Sequence, residues 1–382
     1  MKTGQRLSRI SVFVFAVASS IALGGCSFMQ SDPLAEAQEH FAGQDYVSAQ
    51  IDVLAALQED ASDPTALELL ARIQLAMGRG ADANLTLDRL KDAGVLPADA
   101  ALIEAEALLQ SGNHRAALTL LRGREGAESW RLRALAAAMA GDNDGALRAF
   151  AMGKGANGDK RRLFVAEANH HLARNDVDAA RPAVRQAQLL APDNVETLYV
   201  SARLAEQEGE PELAARAYMA IIKRFPADKP ALLGAIQTLD MIGRIDLVRD
   251  LIARGRTAYP EDVEFLYLEA SLQAFDGNWF NVRKMLQQHE AMVIEHDKAR
   301  GLYGQAMLEL GQLEQARAQL APLHRRYPDN VAYARVLTRT LIASGEHAAA
   351  YAIIGPFAGR RDAAIIDRQL AEEAARGRAS AS

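Results

Sequence analysis

An all-α fold, made by stacking one helical unit many times, is what the sequence predicts, and three observations predict it. The 382 residues are 49% hydrophobic but only 6% aromatic, with abundant alanine and with glycine and proline scattered along the chain, a balance that favours closely packed helices over strands. Alanine or valine recurs at Ala49, Ala83, Ala117, Ala146, Ala180, Ala214, Val248, Val282, Ala316 and Ala350, spaced by 34 residues except for one step of 29. Four residues after each of these markers stands an apolar or aromatic side chain, from Val53 to Ile354, an i, i+4 pair on one helix face.

In chain order, the first segment is a leader. Lys2, Arg6 and Arg9 precede an apolar run from Ile10 to Leu23, which at 14 residues is too short to cross ~30 Å of hydrocarbon as a permanent span. The run ends in Leu23-Gly24-Gly25-Cys26, which resembles the bacterial lipobox. That resemblance implies a signal peptide over residues 1–25, a Cys26 that becomes a lipidated N-terminus, and a tether over 26–33. From Cys26 to Pro33 the tether spans at most ~25 Å. Acyl chains then supply membrane affinity, which two or more chains make stable.

The repeats follow. Glycine stands five residues before the marker in eight units, at Gly78, Gly112, Gly141, Gly209, Gly243, Gly277, Gly311 and Gly345. With 27 glycines in the chain, ten positions taken at random would hold fewer than one. Twelve residues before the marker lie Ala37, Ala71, Ala105, Ala134, Ala168, Ala202, Ala270 and Gly304, small enough for close helix crossing, with Ile236 and Thr338 as the exceptions. Pro192, Pro226, Pro260 and Pro328, twelve after their markers, end one helix and permit the next. Each unit therefore reads as helix, glycine turn, helix, short turn.

This pattern resembles the tetratricopeptide repeat, and the resemblance implies an α-solenoid superhelix of about ten hairpins with a concave face lined by the first helix of each. Units one to three occupy 34–126 and units four to ten 127–358. The short step between them comes from LLRGREGAESW, where the second helix of unit three stops before Gly123, and a local change of twist is expected there. Residues 359–374 are expected to form a capping helix that turns Ala364, Ile365, Ile366 and Leu370 to the last hairpin, and 375–382 a disordered tail.

Little in the sequence points to catalysis, a metal or a cofactor. A single cysteine excludes intramolecular disulfides and multi-cysteine zinc patterns. His170 and His171 are adjacent on a helix and point about 100° apart, and His289 and His296 read as solvated. The stretch GKGANGDKRR over 153–162 lacks the Gly-Lys-Ser/Thr ending of a phosphate loop and reads as a turn. A net charge of −6, or −9 without the leader's three basic residues, leaves no footprint for nucleic acid. No enzyme is predicted.

Mapped by offset, the concave positions lie fifteen and eleven residues before the markers and carry five Arg against two Glu. The candidate partner-binding residues are Arg131, Asn169, Tyr199, Arg203, Gln237, Tyr267, Gln305, Arg335 and Arg339. Tyrosine offers apolar area with a polar tip, and amides can bond an extended backbone without choosing its sequence. The row thus suits a peptide segment of an envelope protein, with an anionic polysaccharide as the alternative ligand. The whole resembles tetratricopeptide lipoproteins that assist pilus or secretion-pore assembly or exopolysaccharide export, which implies a scaffold anchored on the periplasmic face of the outer membrane.

Overall fold

The computed structural model describes residues 32–380; Cys26 and the leader lie outside the described residues. Within them are 22 helices and no strand. Twenty-one of the helices form ten antiparallel hairpins. The first three pair α1 (Pro33–Ala42) with α2 (Tyr46–Glu59), α3 (Pro64–Ala76) with α4 (Gly80–Asp92), and α5 (Ala100–Gln110) with α6 (His114–Leu120). Next come α7 (Ala127–Met139) with α8 (Asn143–Gly155), α9 (Arg161–Leu172) with α10 (Val177–Leu190), α11 (Val195–Glu208) with α12 (Pro211–Arg224), and α13 (Lys229–Met241) with α14 (Ile245–Ala258). In the eighth, α15 (Val263–Phe275) meets a second helix broken at His289 into α16 (Trp279–Gln288) and α17 (Glu290–Glu295). The ninth and tenth are α18 (Asp297–Glu309) with α19 (Leu313–Arg326) and α20 (Val331–Ala343) with α21 (His347–Ala358), after which α22 (Ile365–Ser380) closes the array.

The hairpin turn is a backbone device. All eight turn glycines have positive φ. In the two units without glycine, the same offset falls on Gln44 and Asn175, and these are the non-glycine residues with positive φ. At Gly243 the geometry is that of a Schellman end: its N–H donates to the Asp240 carbonyl and the Arg244 N–H to the Leu239 carbonyl. Helix starts are fixed by side-chain caps such as Asp63, Asp228 and Asn330, each accepting a backbone N–H of the first turn.

Packing follows the periodic positions. Every marker and every side chain four residues later is buried, so the interior is one column of small residues beside one of large ones. At Gly304, an added Cβ would lie 2.6 Å from Leu320, which explains a glycine where seven of the other units carry alanine. Neighbouring hairpins are also tied by polar contacts about one repeat apart: Arg161 to Glu196, Tyr199 to Asp228, Lys229 to Asp262 and His296 to Glu264. His296 is therefore not simply solvated; its Nδ1 also accepts the Ala299 N–H and caps α18.

Across the short step, α6 ends at Leu120 and Gly123 turns the chain with positive φ. The stack continues there, α5 resting on α7, with Arg131 bridging Glu106 and Glu128 at 3.1 and 2.6 Å.

The C-terminal cap differs from expectation in two ways. The helix begins at Ile365 and runs on to Ser380, through residues expected to be disordered, because Arg378 stacks on the Tyr351 ring at 5.0 Å and holds that last turn to α21. Ile365 and Ile366 face outward, and the buried face is Asp367, Leu370, Ala371 and Ala374. Arg335 sets this rotation by taking the Asp367 carboxylate in a two-pronged contact of 2.6 and 2.9 Å.

Candidate functional site

Most of the polar row along the first helices is already occupied by the chain itself. Arg131 is buried between Glu106 and Glu128, and Arg162 from α9 joins the same carboxylates at 2.7 and 2.8 Å. Burial alone would raise the Glu106 pKa, but Arg131 and Arg162 outweigh it and hold the carboxyl below its usual range. Arg335 is bound by Asp367 and Arg339 by Glu309 at 3.0 Å. Arg203 donates to Asn169, and the Tyr199 hydroxyl donates to Asp228 while its ring meets Tyr218 edge-on. Burial, and then the bond to Asp228, raise the Tyr199 pKa. Six of these expected contact residues, Arg131, Asn169, Tyr199, Arg203, Arg335 and Arg339, thus serve the solenoid's own packing. Offset along a helix reports which way a side chain leaves the backbone, not whether a carboxylate one repeat away will meet it.

Gln237, Tyr267 and Gln305 are different. None of their side-chain polar atoms has a hydrogen-bond partner among the described residues, and they belong to one region of the array. Along most of the stack each first helix touches the next, from α3 to α11 and again from α15 to α22. Between α11 and α15 the first helices touch less: α13 packs chiefly on α12 and α14, and is tied to its neighbours at its start, where Tyr199 meets Asp228 and Lys229 meets Asp262. The gap between α13 and α15 is a groove of about 670 Å³ with α14 as its floor. Gln237 and Asp240 stand on one wall, Tyr267, Ser271 and Phe275 on the other, and Ile245, Val248 and Ile252 below.

Tyr267 and Lys298 also line a second depression of about 340 Å³ toward α18 and α20, which includes Gln305, Asn330 and Tyr333. The Lys298 ammonium lies 6.0 Å from the Tyr267 ring centroid and has no carboxylate partner among the described residues. Phe275, at the far end, is largely exposed. The result is a trough with an apolar floor, amides on its rims, one unpaired cation and an aromatic at each end, able to take an extended chain and bond its backbone.

Sequence offsets missed Phe275, Asp240 and Lys298, which lie outside the two columns used. One signal was present: Ile236, one of the two exceptions in a column of small residues, lines the same groove. Among the described residues no group of three His, Cys, Asp or Glu is placed to hold a metal ion, and no helix is long and apolar enough to cross a membrane. His170 bonds Asn143 at 2.8 Å and His171 faces Asp176 at 3.3 Å.

Two family models described as tetratricopeptide repeat match the chain, over residues 165–229 and 282–340, so that the chain carries these repeats on both sides of the groove. A search of curated proteins gives no match. Among solved structures, the chain is similar to the APC/C hetero-tetramer Cut9-Hcn1, with 12% identity over 89% of this chain and 95% of that one and a TM-score of 0.48. It is similar to yeast Tom70 with 11% identity over 92% and 90% and a TM-score of 0.41. It is also similar to a thermophilic tetratricopeptide-repeat protein of Thermus thermophilus, with 22% identity over 54% and 97% and a TM-score of 0.34.

Proposed function

We propose that this tetratricopeptide-repeat chain is a lipid-anchored scaffold of the bacterial envelope that holds an extended segment of a protein partner in the groove above α14. The observation that carries the reading is that Gln237, Tyr267, Gln305 and Lys298, whose side chains have no hydrogen-bond or carboxylate partner among the described residues, line the groove between α13 and α15 and the depression that adjoins it at Tyr267 and Lys298. Tetratricopeptide arrays generally act through such protein contacts. Anchoring through Cys26, a periplasmic location and service to a pilus, secretion or exopolysaccharide export machine belong to the same proposal and rest on the leader and on resemblance.

Anionic polysaccharide is the less favoured ligand, because all five concave arginines, Arg72 included, already bond the chain's own acceptors. The test is photo-crosslinking in intact cells from residue 237 or 305, compared with Arg216 on the outer helices. Adducts to one envelope protein from the groove alone, abolished by Tyr267→Ala with Lys298→Glu, are expected. Equal adducts from position 216, or adducts insensitive to the double variant, would refute the groove as the binding face.

A further inference from the structure

The outward face of the first two hairpins is built differently from the rest of the array. On α2, Val47, Ile51 and Leu54 recur at i, i+4 and i+7 and are 62%, 63% and 42% exposed, and Leu85 on α4, in register with Ile51, is 67% exposed. Further along the stack those offsets carry mostly exposed charges, such as Arg115, Asp144, Arg148, Asp178, Glu212 and Arg216, or small residues, such as Ala318, Ala348 and Ala352, while Phe280 and the partly buried Met219 are isolated large apolar side chains there. This aliphatic ridge, the run of exposed side chains on α2 continued by Leu85, is not repeated at these offsets after the second hairpin. The α2 sequence YVSAQIDVLAALQE contains no Lys or Arg.

We propose that this ridge rests on the lipid bilayer, so that the first two hairpins lie against the membrane surface and the groove is held away from it. The inference rests on the reading of Cys26 as the lipid anchor and extends it. The tether from Cys26 to Pro33 is at most ~25 Å, and α1, only 10 residues long, lies alongside α2. A bilayer is consequently within reach of the ridge at all times. Four aliphatic side chains would bind lipid weakly from solution, but a short tether makes the contact intramolecular, with an effective concentration on the order of millimolar. With no basic residue on α2, insertion depends on apolar area and not on anionic headgroups, so it needs no acidic lipid and resists salt.

The experiment uses the full chain, acylated in cells and reconstituted into phosphatidylcholine vesicles. An environment-sensitive fluorophore is placed at Ile51→Cys or, at the same offset in the fourth hairpin, at Arg148→Cys, and quenched by nitroxide-bearing phospholipid. Several-fold stronger quenching at 51 than at 148, equal at low and high salt and abolished by Leu54→Glu with Leu85→Glu at unchanged helical content, is expected. Equal quenching at both positions in a chain whose acylation is verified by mass would overturn the docking and leave the anchor standing. Shielding of position 51 that fades as protein density falls at constant lipid would overturn it in favour of a second copy on the ridge. A chain that reaches the membrane fraction unmodified at Cys26 would overturn both readings.

Discussion

The turn glycines permit a quantitative test, and Gly243→Ala is the sharpest form of it. Gly243 closes α13 with a φ of +71°, and a Cβ built there meets nothing within 4 Å. The cost of the methyl group is therefore purely conformational, about 1–2 kcal/mol for an L-residue held in the left-handed region. Reduced freedom of the unfolded chain returns up to about 1 kcal/mol, leaving a net loss near 1 kcal/mol. Asparagine tolerates this conformation better, as Asn175 does at the same offset with a φ of +58°, so Gly243→Asn should lose only about half as much. The converse, Gln44→Gly, relieves a φ of +59° and should stabilise the first hairpin by up to about 1 kcal/mol. Urea unfolding followed by circular dichroism at constant slope reads these differences, with shifts in Tm of about 1–3 °C. Alanine at 243 behaving like glycine, or asparagine costing more than alanine, would refute the account.

Gly255 tests the opposite mechanism. Its backbone is ordinary helix, but a Cβ would sit 2.1 Å from the buried Phe265 ring, so Gly255→Ala should cost about 1–3 kcal/mol by overpacking and be rescued by Phe265→Leu in a double-mutant cycle. Removing Arg335 leaves Asp367 buried without its partner; Arg335→Ala should undock α22 at a cost of about 2 kcal/mol, seen as lost hydrogen-exchange protection over 365–380 alone. Arg335 holds the Asp367 carboxyl below its usual range, so this cap is fully stabilised above the ordinary aspartate value and loosens as pH falls through the depressed one. His40 has the reverse sign: its hydrogen bond to Asp52 at 2.6 Å raises its pKa. The first hairpin is favoured below the ordinary histidine value and loses that contribution as pH rises through the raised one; an NMR titration should show Asp52→Asn returning His40 downward.

The repeat was legible in the sequence because it is made of local rules repeated ten times. A 34-residue period, a small residue facing a large one, and a turn that needs positive φ are properties of short stretches, and even Gln44 and Asn175 were locatable by offset although their identities do not advertise a left-handed turn. The cap was less legible. Ile365 and Ile366 read as its buried face from hydrophobicity alone, whereas the helix turns Asp367 inward because Arg335, 32 residues earlier, waits for it.

The same limit governs the candidate site. Spacing along the chain was enough to give the hairpins, their turns and a column of positions along the first helices. Packing between hairpins selects which members of that column keep free polar atoms: Arg131, Arg203, Arg335 and Arg339 meet partners on neighbouring elements, while the polar side-chain atoms of Gln237, Tyr267 and Gln305 have no hydrogen-bond partner among the described residues. Long charged side chains reach across hairpins, so their availability depends on where a second residue stands some thirty positions away and on how closely two helices approach. Period and offset encode direction along one helix, whereas the groove is formed jointly by side chains of α13, α14 and α15.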